Sequence, residues 1–340
     1  MSIFRWNRQL FYKTLAIFTV ITVICISSAC KPSQRQFGPP EKIIIAYSTA
    51  SNAVLVYIAF ANEYFKEEGL DATPQPHSFG KLALNAVIEG KADLATAGDT
   101  PLVLSILDGK MLSTIAVIQR SSRNEGIVAR QDRGISKPAD LSGKKIGVTF
   151  GTTGDFFADS FLVVHGIKRN QVRFIDMKPD EMAGALDTGR VDAVSTWNPT
   201  LRQLGRDLGN KGITFYGGEF YTETFCLAGS REYIQKHPEA INKILRALIK
   251  AETFAKQRPD EARRLVAKFI KTDKSVLDEI WDIFNLRVTL DQALLLNFEE
   301  QSRWAVKNRL IPDRTIPNYL DFIYVEGLQT VKPDAVRIIR

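Results

Sequence analysis

Short apolar segments alternate with amphipathic segments along most of this 340-residue chain. The run from Lys42 to Tyr47 is apolar and β-branched, which is typical of a buried parallel strand. A helical pattern follows over residues 54–68 and ends at Gly69, a residue that favours a helix C-terminus. The alternation then predicts helices over 82–89 and 101–107, and strands over 94–97 and 114–118. Strands that alternate with helices indicate an α/β fold with a mainly parallel sheet.

The same order of elements begins again near residue 140. It predicts a strand over 145–150, a helix over 155–165, a helix over 182–187 and a strand over 191–196. Two stretches of sequence also repeat: residues 89–96 (EGKADLAT) resemble residues 188–195 (TGRVDAVS), and residues 45–49 (IAYST) resemble residues 148–152 (VTFGT). Two copies in the same order predict two lobes built on one plan, each a sheet flanked by helices, and not a solenoid.

The pattern becomes almost entirely helical after a strand-like segment at 224–228. Pro238 suits the first turn of a helix that runs to Gln257. Further helical stripes lie at 261–270, 275–287 and 291–308, and we expect this helical C-terminal extension to cover the sheet of one lobe. The chain is predicted to cross between lobes near Glu125–Arg130 and near Glu223–Gly229. We therefore assign residues 42–127 and 225–340 to lobe 1, and residues 128–224 to lobe 2.

The N-terminal residues are predicted to stand outside the fold. Three positive residues precede the uncharged segment 14–29, which is short for a membrane span and typical of a signal peptide. Small residues precede Cys30, as in a bacterial lipoprotein cleavage site, so we expect residues 1–29 to be removed and Cys30 to carry lipid. An uncleaved anchor and plain signal-peptide cleavage remain alternatives. Residues 30–41, with three prolines, are predicted to be a tether, and every alternative places the body in the periplasm or at the cell surface.

Composition and charge narrow the class of protein. Hydrophobic residues make up 45% and charged residues 24% of the chain, an ordinary globular balance. Loss of residues 1–29 removes three positive charges and no negative charge, which lowers the formal net charge from +7 to +4. No dense Lys/Arg block occurs, which disfavours nucleic acid as a partner. The body contains a single cysteine, Cys226, so we expect no intrachain disulfide.

Small polar residues follow the predicted strands in both lobes. Ligands of open α/β sheets bind beyond the carboxyl ends of strands, where helix N-termini attract anions. Any one of these clusters is slightly better explained as ordinary helix capping, but their coincidence across both lobes predicts a site for a small oxyanion such as a sulfonate or nitrate. Asp155 and Glu223 could instead receive an ammonium group, and an aminosulfonate would satisfy both halves. The candidate ligand-binding residues are Ser51, Asn52, Gly80, Gly98, Asp99, Thr100, Thr152, Thr153, Gly154, Trp197, Glu223 and Thr224.

Patterns typical of catalysis are missing from the sequence. The three histidines are His77, His165 and His237, and none stands in a Cys/His spacing that suits a metal. No phosphate-binding loop, nucleophile elbow or dinucleotide-binding glycine motif occurs. We therefore expect a binding protein with no cofactor and no metal.

Three motifs resemble one known family, the alkanesulfonate, taurine and nitrate binding proteins of ABC importers. Residues 90–101 (GKADLATAGDTP) resemble the first-lobe signature of that family, and residues 139–148 (ADLSGKKIGV) with Gly151-Thr152-Thr153 resemble the entry to the second lobe. Residues 191–199 (VDAVSTWNP) resemble its Asp-Ala…Trp-Asp-Pro motif, with Asn198 in place of the usual aspartate. The Thr49-Ala50 turn replaces a more usual glycine-containing turn. The resemblance extends from about Lys42 to Pro312.

The resemblance implies a two-lobed type II periplasmic binding protein that holds its ligand between the lobes. It implies an ABC permease and ATPase as partners, a monomeric state, and ligand contacts from Ser51, Gly98, Asp99 and Thr100 opposite Thr152, Thr153 and Trp197. Two rivals share the fold: a binding protein for a thiamine-precursor pyrimidine, and an enzyme resembling the thiamine-pyrimidine synthases. The scarcity of histidine and cysteine and the secretion signal disfavour the enzyme. A sensor or scaffold lipoprotein without an importer is a third reading.

Overall fold

The computed structural model describes residues 39–311 and 315–339. Its strands are β1 Glu41–Ser48, β2 Leu70–His77, β3 Leu94–Gly98, β4 Leu112–Ser121, β5 Glu125–Arg130, β6 Lys145–Val148, β7 Arg173–Asp176, β8 Ala193–Trp197, β9 Gly212–Tyr216, β10 Glu223–Ser230, β11 Asn285–Asp291 and β12 Val336–Arg337. Its helices are α1 Val54–Ala61, α2 Tyr64–Glu67, α3 Gly80–Ile88, α4 Asp99–Leu107, α5 Thr153–Val164, α6 Met182–Thr188, α7 Thr200–Leu208, α8 Arg231–Lys236, α9 Pro238–Gln257, α10 Pro259–Ile270, α11 Lys274–Ile280, α12 Gln292–Lys307 and α13 Val325–Val331.

Seven strands form the first sheet, in the order β12-β11-β4-β10-β3-β1-β2. β1 runs parallel to β2 and β3, while β10 runs antiparallel to β3 and β4. Every residue of the central strand β3 is buried. Helices cover both sides of the sheet, so its central strands are apolar on both faces. Helix α9 supplies much of that cover, with Ile241, Ile244 and Leu248 fully buried.

Five strands form the second sheet, in the order β7-β6-β8-β5-β9. β6 runs parallel to β7 and β8, and β5 runs antiparallel to β8 and β9. Both sheets thus contain a parallel portion and an antiparallel strand that follows a crossing of the chain, β10 in the first sheet and β5 in the second. In the first sheet β11 and β12 also run opposite to β4. The chain crosses through residues 122–124 and returns through residues 217–222. The expected two-lobed α/β fold is confirmed, and the antiparallel strands make both sheets mixed.

Several element predictions are confirmed closely, and others are wrong. The helix predicted from Pro238 to Gln257 has those bounds. The helix predicted over 54–68 is interrupted, because Glu63 adopts a left-handed conformation (φ 56°) and separates α1 from α2. The helix predicted over 275–287 ends at Ile280, and β11 begins at Asn285, where the chain pairs with β4.

The prediction also left out strand β2. Its sequence, LDATPQPH, contains two prolines, which have no N–H to donate to a sheet. β2 lies at the edge of the first sheet and pairs only with β1, so its other side requires no donor. Tertiary placement at an edge therefore permits a strand that the local pattern disfavours.

The described residues contain no helix that is both long enough and apolar enough to cross a membrane. Cys226 is a free, fully buried thiol of β10, as expected for a small core residue. The predicted signal segment, tether and lipidation site at Cys30 lie outside the described residues, apart from Pro39, Pro40 and Glu41 at the end of the tether.

Candidate functional site

A small cavity lies between the two sheets, at the carboxyl ends of their parallel strands. Its volume is about 20 Å³, room for roughly one water molecule. The lining comes from both lobes and consists of Asn52, Phe79, Gly80, Lys81, Gly98, Pro101, Thr152, Thr153, Trp197, Glu223 and Phe225. A ligand of several atoms therefore needs the lobes to separate before it enters.

Seven of the twelve candidate residues lie in this lining: Asn52, Gly80, Gly98, Thr152, Thr153, Trp197 and Glu223. The other five candidate residues lie behind the lining and support it: Ser51, Asp99, Thr100, Gly154 and Thr224. The Ser51 hydroxyl donates to the Asn198 carbonyl of the opposite lobe (3.2 Å), and Ser195 Oγ donates to the Gly154 carbonyl (2.8 Å). Asp99, Thr100 and Thr224 belong to a buried polar cluster below the cavity.

Helix α5 begins at Thr153, with Thr152 as the residue before it. The first N–H groups of a helix have no acceptor within the helix, so this terminus offers donors to an anion. The threonine hydroxyls are already engaged: Thr152 donates to the Thr149 carbonyl (2.7 Å), and Thr153 bonds to Glu125. An oxyanion here would therefore meet backbone N–H groups rather than these two hydroxyls.

Lys81 brings a positive charge to the same place. Its Nζ donates to the Phe150 carbonyl (2.8 Å), in the loop that leads into α5. The sequence reasoning missed this residue, because Lys81 belongs to α3 of the opposite lobe, 70 or so residues from the loop it reaches. Tertiary structure alone joins this cation to the helix terminus.

The Asp155 side chain, in the first turn of α5, bonds to the loop that precedes this helix. Its Oδ2 accepts from the Gly151 N–H (2.9 Å), and its Oδ1 lies 3.8 Å from an Arg169 nitrogen. Burial raises the pKa of Asp155 to about 6, although the Gly151 N–H and Arg169 act to lower it. The carboxylate is thus turned towards its own lobe.

Asp99 connects four parts of the chain. Its carboxylate accepts from the Tyr221 hydroxyl (2.7 Å), the Thr100 and Thr224 N–H groups (2.8 and 2.9 Å) and Asn297 Nδ2 (2.5 Å). Burial raises the pKa of Asp99, and these donors act in the opposite direction. With this many donors engaged, the carboxylate positions the floor of the cavity.

Glu125 and Glu223 lie side by side at the two crossings of the chain. Glu125 is the first residue of β5 and Glu223 the first of β10, and their side chains form a hydrogen bond to each other. Asn124 Nδ2 bridges them, 3.3 Å from Glu125 and 2.8 Å from Glu223. Both residues are at most 2% exposed.

Burial raises the pKa of both carboxyls in this pair. Burial, followed by the charge of Glu223, raises the pKa of Glu125 well above its usual range. Burial, followed by the charge of Asp99, raises the pKa of Glu223 to about 8, against hydrogen bonds from Asn124 and Asn52. Two adjacent carboxyls cannot both ionise cheaply in a buried site, so the pair holds at least one proton at neutral pH.

Aromatic side chains close the cavity. The Phe79 and Trp197 rings, from opposite lobes, have centroids 6.1 Å apart, and they form a small apolar cluster with Ala50. Trp197 ends β8, is 5% exposed and lines the cavity. Such an enclosure excludes water from the polar groups beneath it.

The sequence reasoning missed Phe79, Lys81, Pro101 and Phe225 in the lining, and it treated Glu125 only as part of a crossing. An isolated glutamate at the start of an apolar strand was the available signal for Glu125. The described residues contain no group of three or more His, Cys, Asp or Glu side chains placed to hold a metal.

The profile of the NMT1/THI5-like family matches residues 50–262, more than half of the chain. The chain belongs to this family.

Curated relatives of the chain are named as binding proteins. A putative aliphatic sulfonates-binding protein of Bacillus subtilis is 29% identical over 227 residues, 65% of each chain. The taurine-binding periplasmic protein of Escherichia coli is 24% identical over 219 residues, 64% of this chain and 68% of its own. The formylaminopyrimidine-binding protein of Halalkalibacterium halodurans is 25% identical over 259 residues, 74% and 77% of the two chains.

Solved structures agree on the fold. The alkanesulfonate-binding protein of Xanthomonas axonopodis, bound to MOPS, superposes with a TM-score of 0.74 at 18% identity, covering 85% of this chain and 99% of its own. At this level of identity the match describes the two-lobed fold alone. The family assignment and the fold thus agree with the resemblance found in the sequence.

Proposed function

We propose that this chain is the extracytoplasmic substrate-binding protein of an ABC importer, which captures a small oxyanion between its lobes and delivers it to a permease. The observation that carries the proposal is the meeting of candidate residues from both lobes in one cavity at the N-terminus of α5. Relatives named as sulfonate- and taurine-binding proteins support the class of ligand.

The anion would lie between the first turn of α5 and Lys81. Helix N–H groups and a lysine give charge-assisted hydrogen bonds, which are stronger than neutral ones in a site shielded from water. The ligand would enter when the lobes separate and would favour the closed form, because it touches both lobes.

Location and partners belong to the same proposal. One relative is named as a periplasmic protein, and we propose that this chain acts in the periplasm or at the cell surface, anchored through lipid on Cys30. A permease and an ATPase would complete the importer, with the binding protein acting as a monomer. We propose binding without chemical conversion of the ligand.

Titration calorimetry tests the proposed ligand class. Ethanesulfonate, taurine and nitrate are added to the full chain and to Lys81→Met, with Lys91→Met as a matched control at an exposed pair with Glu89. We expect at least one oxyanion to bind, and Lys81→Met to weaken it about tenfold through loss of one charge-assisted bond. Lys91→Met should bind as the parent does. Absence of binding by every oxyanion contradicts the proposal.

A second candidate is a binding protein for an uncharged pyrimidine. The protonated Glu125–Glu223 pair favours it, because a carboxylic acid can both donate to a ring nitrogen and accept from an amino group. The relative named as a formylaminopyrimidine-binding protein supports it as well.

A further inference from the structure

A second chamber lies at the mouth of the cleft, next to the small cavity. Its volume is about 610 Å³, and its walls come from α3 and α11 of lobe 1 and from α6 and α7 of lobe 2. Phe79 lines both spaces and forms a common wall between them. A chamber of this size can enclose a drug-sized organic molecule, whereas the small cavity cannot.

Apolar side chains from both lobes form much of the chamber wall. Leu204 of α7 and Ile280 of α11 are at most 3% exposed, whereas Leu82 of α3 is 37% exposed. An exposed leucine on a concave wall gains favourable free energy when another apolar surface covers it and displaces water. The chamber therefore favours a ligand with an apolar body.

The polar part of the wall carries a positive charge that its neighbours balance only in part. Arg202 and Arg206 stand one turn apart on α7, and both pair with the same carboxylate, Glu279 of α11 in the opposite lobe. Arg206 makes the closer contact, while Nη1 of Arg202 lies 3.8 Å from a Glu279 oxygen. Nε of Arg202 is buried and has no hydrogen-bond partner among the described residues. Because two guanidiniums share one carboxylate, Arg202 retains donors for a further anion.

The remaining charged side chains of the chamber lie at its rim. Lys178 and Asp180, in the loop after β7, are both exposed and of opposite sign. Asp207, also exposed, accepts from Gln203 Nε2 (2.7 Å) on the same helix. Exposed charges are screened by solvent, so these three groups have little effect on the interior of the chamber. Arg202 is therefore the group that determines which charge the chamber accepts.

We propose that this mouth chamber binds an organic anion, with an apolar body against Leu82 and Ile280 and a carboxylate or sulfonate that accepts from Arg202. The anion supplies the acceptor that Arg202 Nε lacks, and Glu279 stays with Arg206. The inference goes beyond the proposed function, because the chamber binds such a group whether or not the small cavity holds an oxyanion. The group is either the far end of a ligand that also enters the small cavity or a separate molecule, and its chemistry is the same in both cases.

Calorimetry with 4-sulfobenzoate and benzenesulfonate tests the chamber. The two probes share an aromatic body and one sulfonate, and only 4-sulfobenzoate carries a second anionic group. The full chain is compared with Arg202→Met, which removes the guanidinium, and with Arg303→Met as a matched control at an exposed pair with Glu299 on α12. Urea unfolding of each variant establishes that it is folded before binding is compared.

We expect 4-sulfobenzoate to bind at least about fivefold more tightly than benzenesulfonate. The factor is moderate because the Arg202 side chain is 34% exposed, and solvent weakens a charge-assisted bond there. Arg202→Met should remove this preference, whereas Arg303→Met should keep it. The ratio of the two affinities separates ligand contact from closure, because a residue that only joined the lobes would affect both probes equally.

A repeat in saturating ethanesulfonate identifies the source of the anion. Competition with 4-sulfobenzoate indicates one ligand that spans both spaces, undiminished binding indicates a separate molecule, and both results support the chamber. A preference that is lost in Arg202→Met while ethanesulfonate fails to bind supports the chamber and contradicts the small cavity as an oxyanion site. Equal binding of the two aromatic probes, or a preference that persists in Arg202→Met, overturns the chamber, and ethanesulfonate binding then leaves the proposed function standing. Failure of all three probes overturns both.

Discussion

At the scale of single residues, Glu223 shows how burial changes the role of a carboxyl group. Its position just before the strand predicted at 224–228 marked it as a candidate, but sequence could not supply its neighbours Glu125 and Asp99. Burial, followed by the charge of Asp99, raises its pKa to about 8 from an ordinary value of 4.5, against a hydrogen bond with Glu125. A raised carboxyl pKa means that the folded protein binds the proton more tightly than the unfolded chain does.

The raised pKa of Glu223 determines how stability depends on pH. Below pH 4.5 the carboxyl is protonated in both states, and as the pH rises towards 8 the unfolded chain ionises first, so stability is lost. We expect the Glu223 carboxyl to lower the free energy of unfolding by roughly 2–4 kcal/mol as the pH rises from 5 to 8. Glu223→Gln should therefore be more stable than the parent at pH 8, with the difference shrinking by pH 5.

Urea unfolding at pH 5, 6.5 and 8 measures this effect. Glu232→Gln, whose side chain is exposed, is the matched control and should leave the pH dependence unchanged. An equal pH dependence in the parent and in Glu223→Gln would show that the carboxyl ionises normally in the folded protein.

At the scale of elements, helices α5 and α12 join the lobes. Asp159 of α5 accepts from Trp304 Nε1 and Asn308 Nδ2 (both 2.9 Å), at and just beyond the end of α12. Arg169 lies 3.1 Å from the other oxygen of Asp159. Since Asp159 is 4% exposed, the closed arrangement supplies the donors that its buried charge requires.

Trp304→Phe removes one of those donors while keeping an aromatic ring. Loss of a hydrogen bond to a buried charge costs about 1.5–3 kcal/mol, and this bond exists only while the lobes are together. We expect ligand affinity to fall by at least about tenfold, as measured by calorimetry. Trp281→Phe, a change to a buried tryptophan within lobe 1, should preserve affinity. Unchanged affinity in Trp304→Phe would mean that Asp159 does not stabilise the closed form.

At the scale of the whole molecule, closure depends on close approach at Gly98. A Cβ at this position would lie 2.7 Å from Thr153 Cγ2 of the opposite lobe, so any larger residue would hold the lobes apart. The backbone of Gly98 has φ −67°, which alanine adopts without strain, so the substitution acts through the added Cβ and not through the backbone.

Small-angle scattering can follow closure in Gly98→Ala. We expect the parent to become more compact with ligand, and Gly98→Ala to keep a larger radius of gyration and bind at least about tenfold more weakly. Gly184→Ala in α6 is the control, because its added Cβ meets nothing within 4 Å. Equal compaction in both variants would argue against a closure that depends on this contact.

Local pattern alone determined the alternation of strands and helices, the repeated plan of the two lobes, and the polar residues at the strand ends. These features depend on periodicity and on residue types that favour caps and turns, and both are readable within a few residues. The family resemblance rested on the same short motifs, from residues 90–101 to residues 191–199.

Only the tertiary structure decided which residues meet. It placed the proline-containing β2 at an edge, paired β11 with β4, and brought Lys81 to the start of α5. It also joined Glu125 to Glu223 across 98 residues, where mutual burial, rather than any local pattern, raises both pKa values. A contact between residues distant in sequence leaves no periodic signal, because each residue fits the pattern of its own helix, strand or loop. The shifted pKa values arise only when folding buries the two side chains together and removes water from between them.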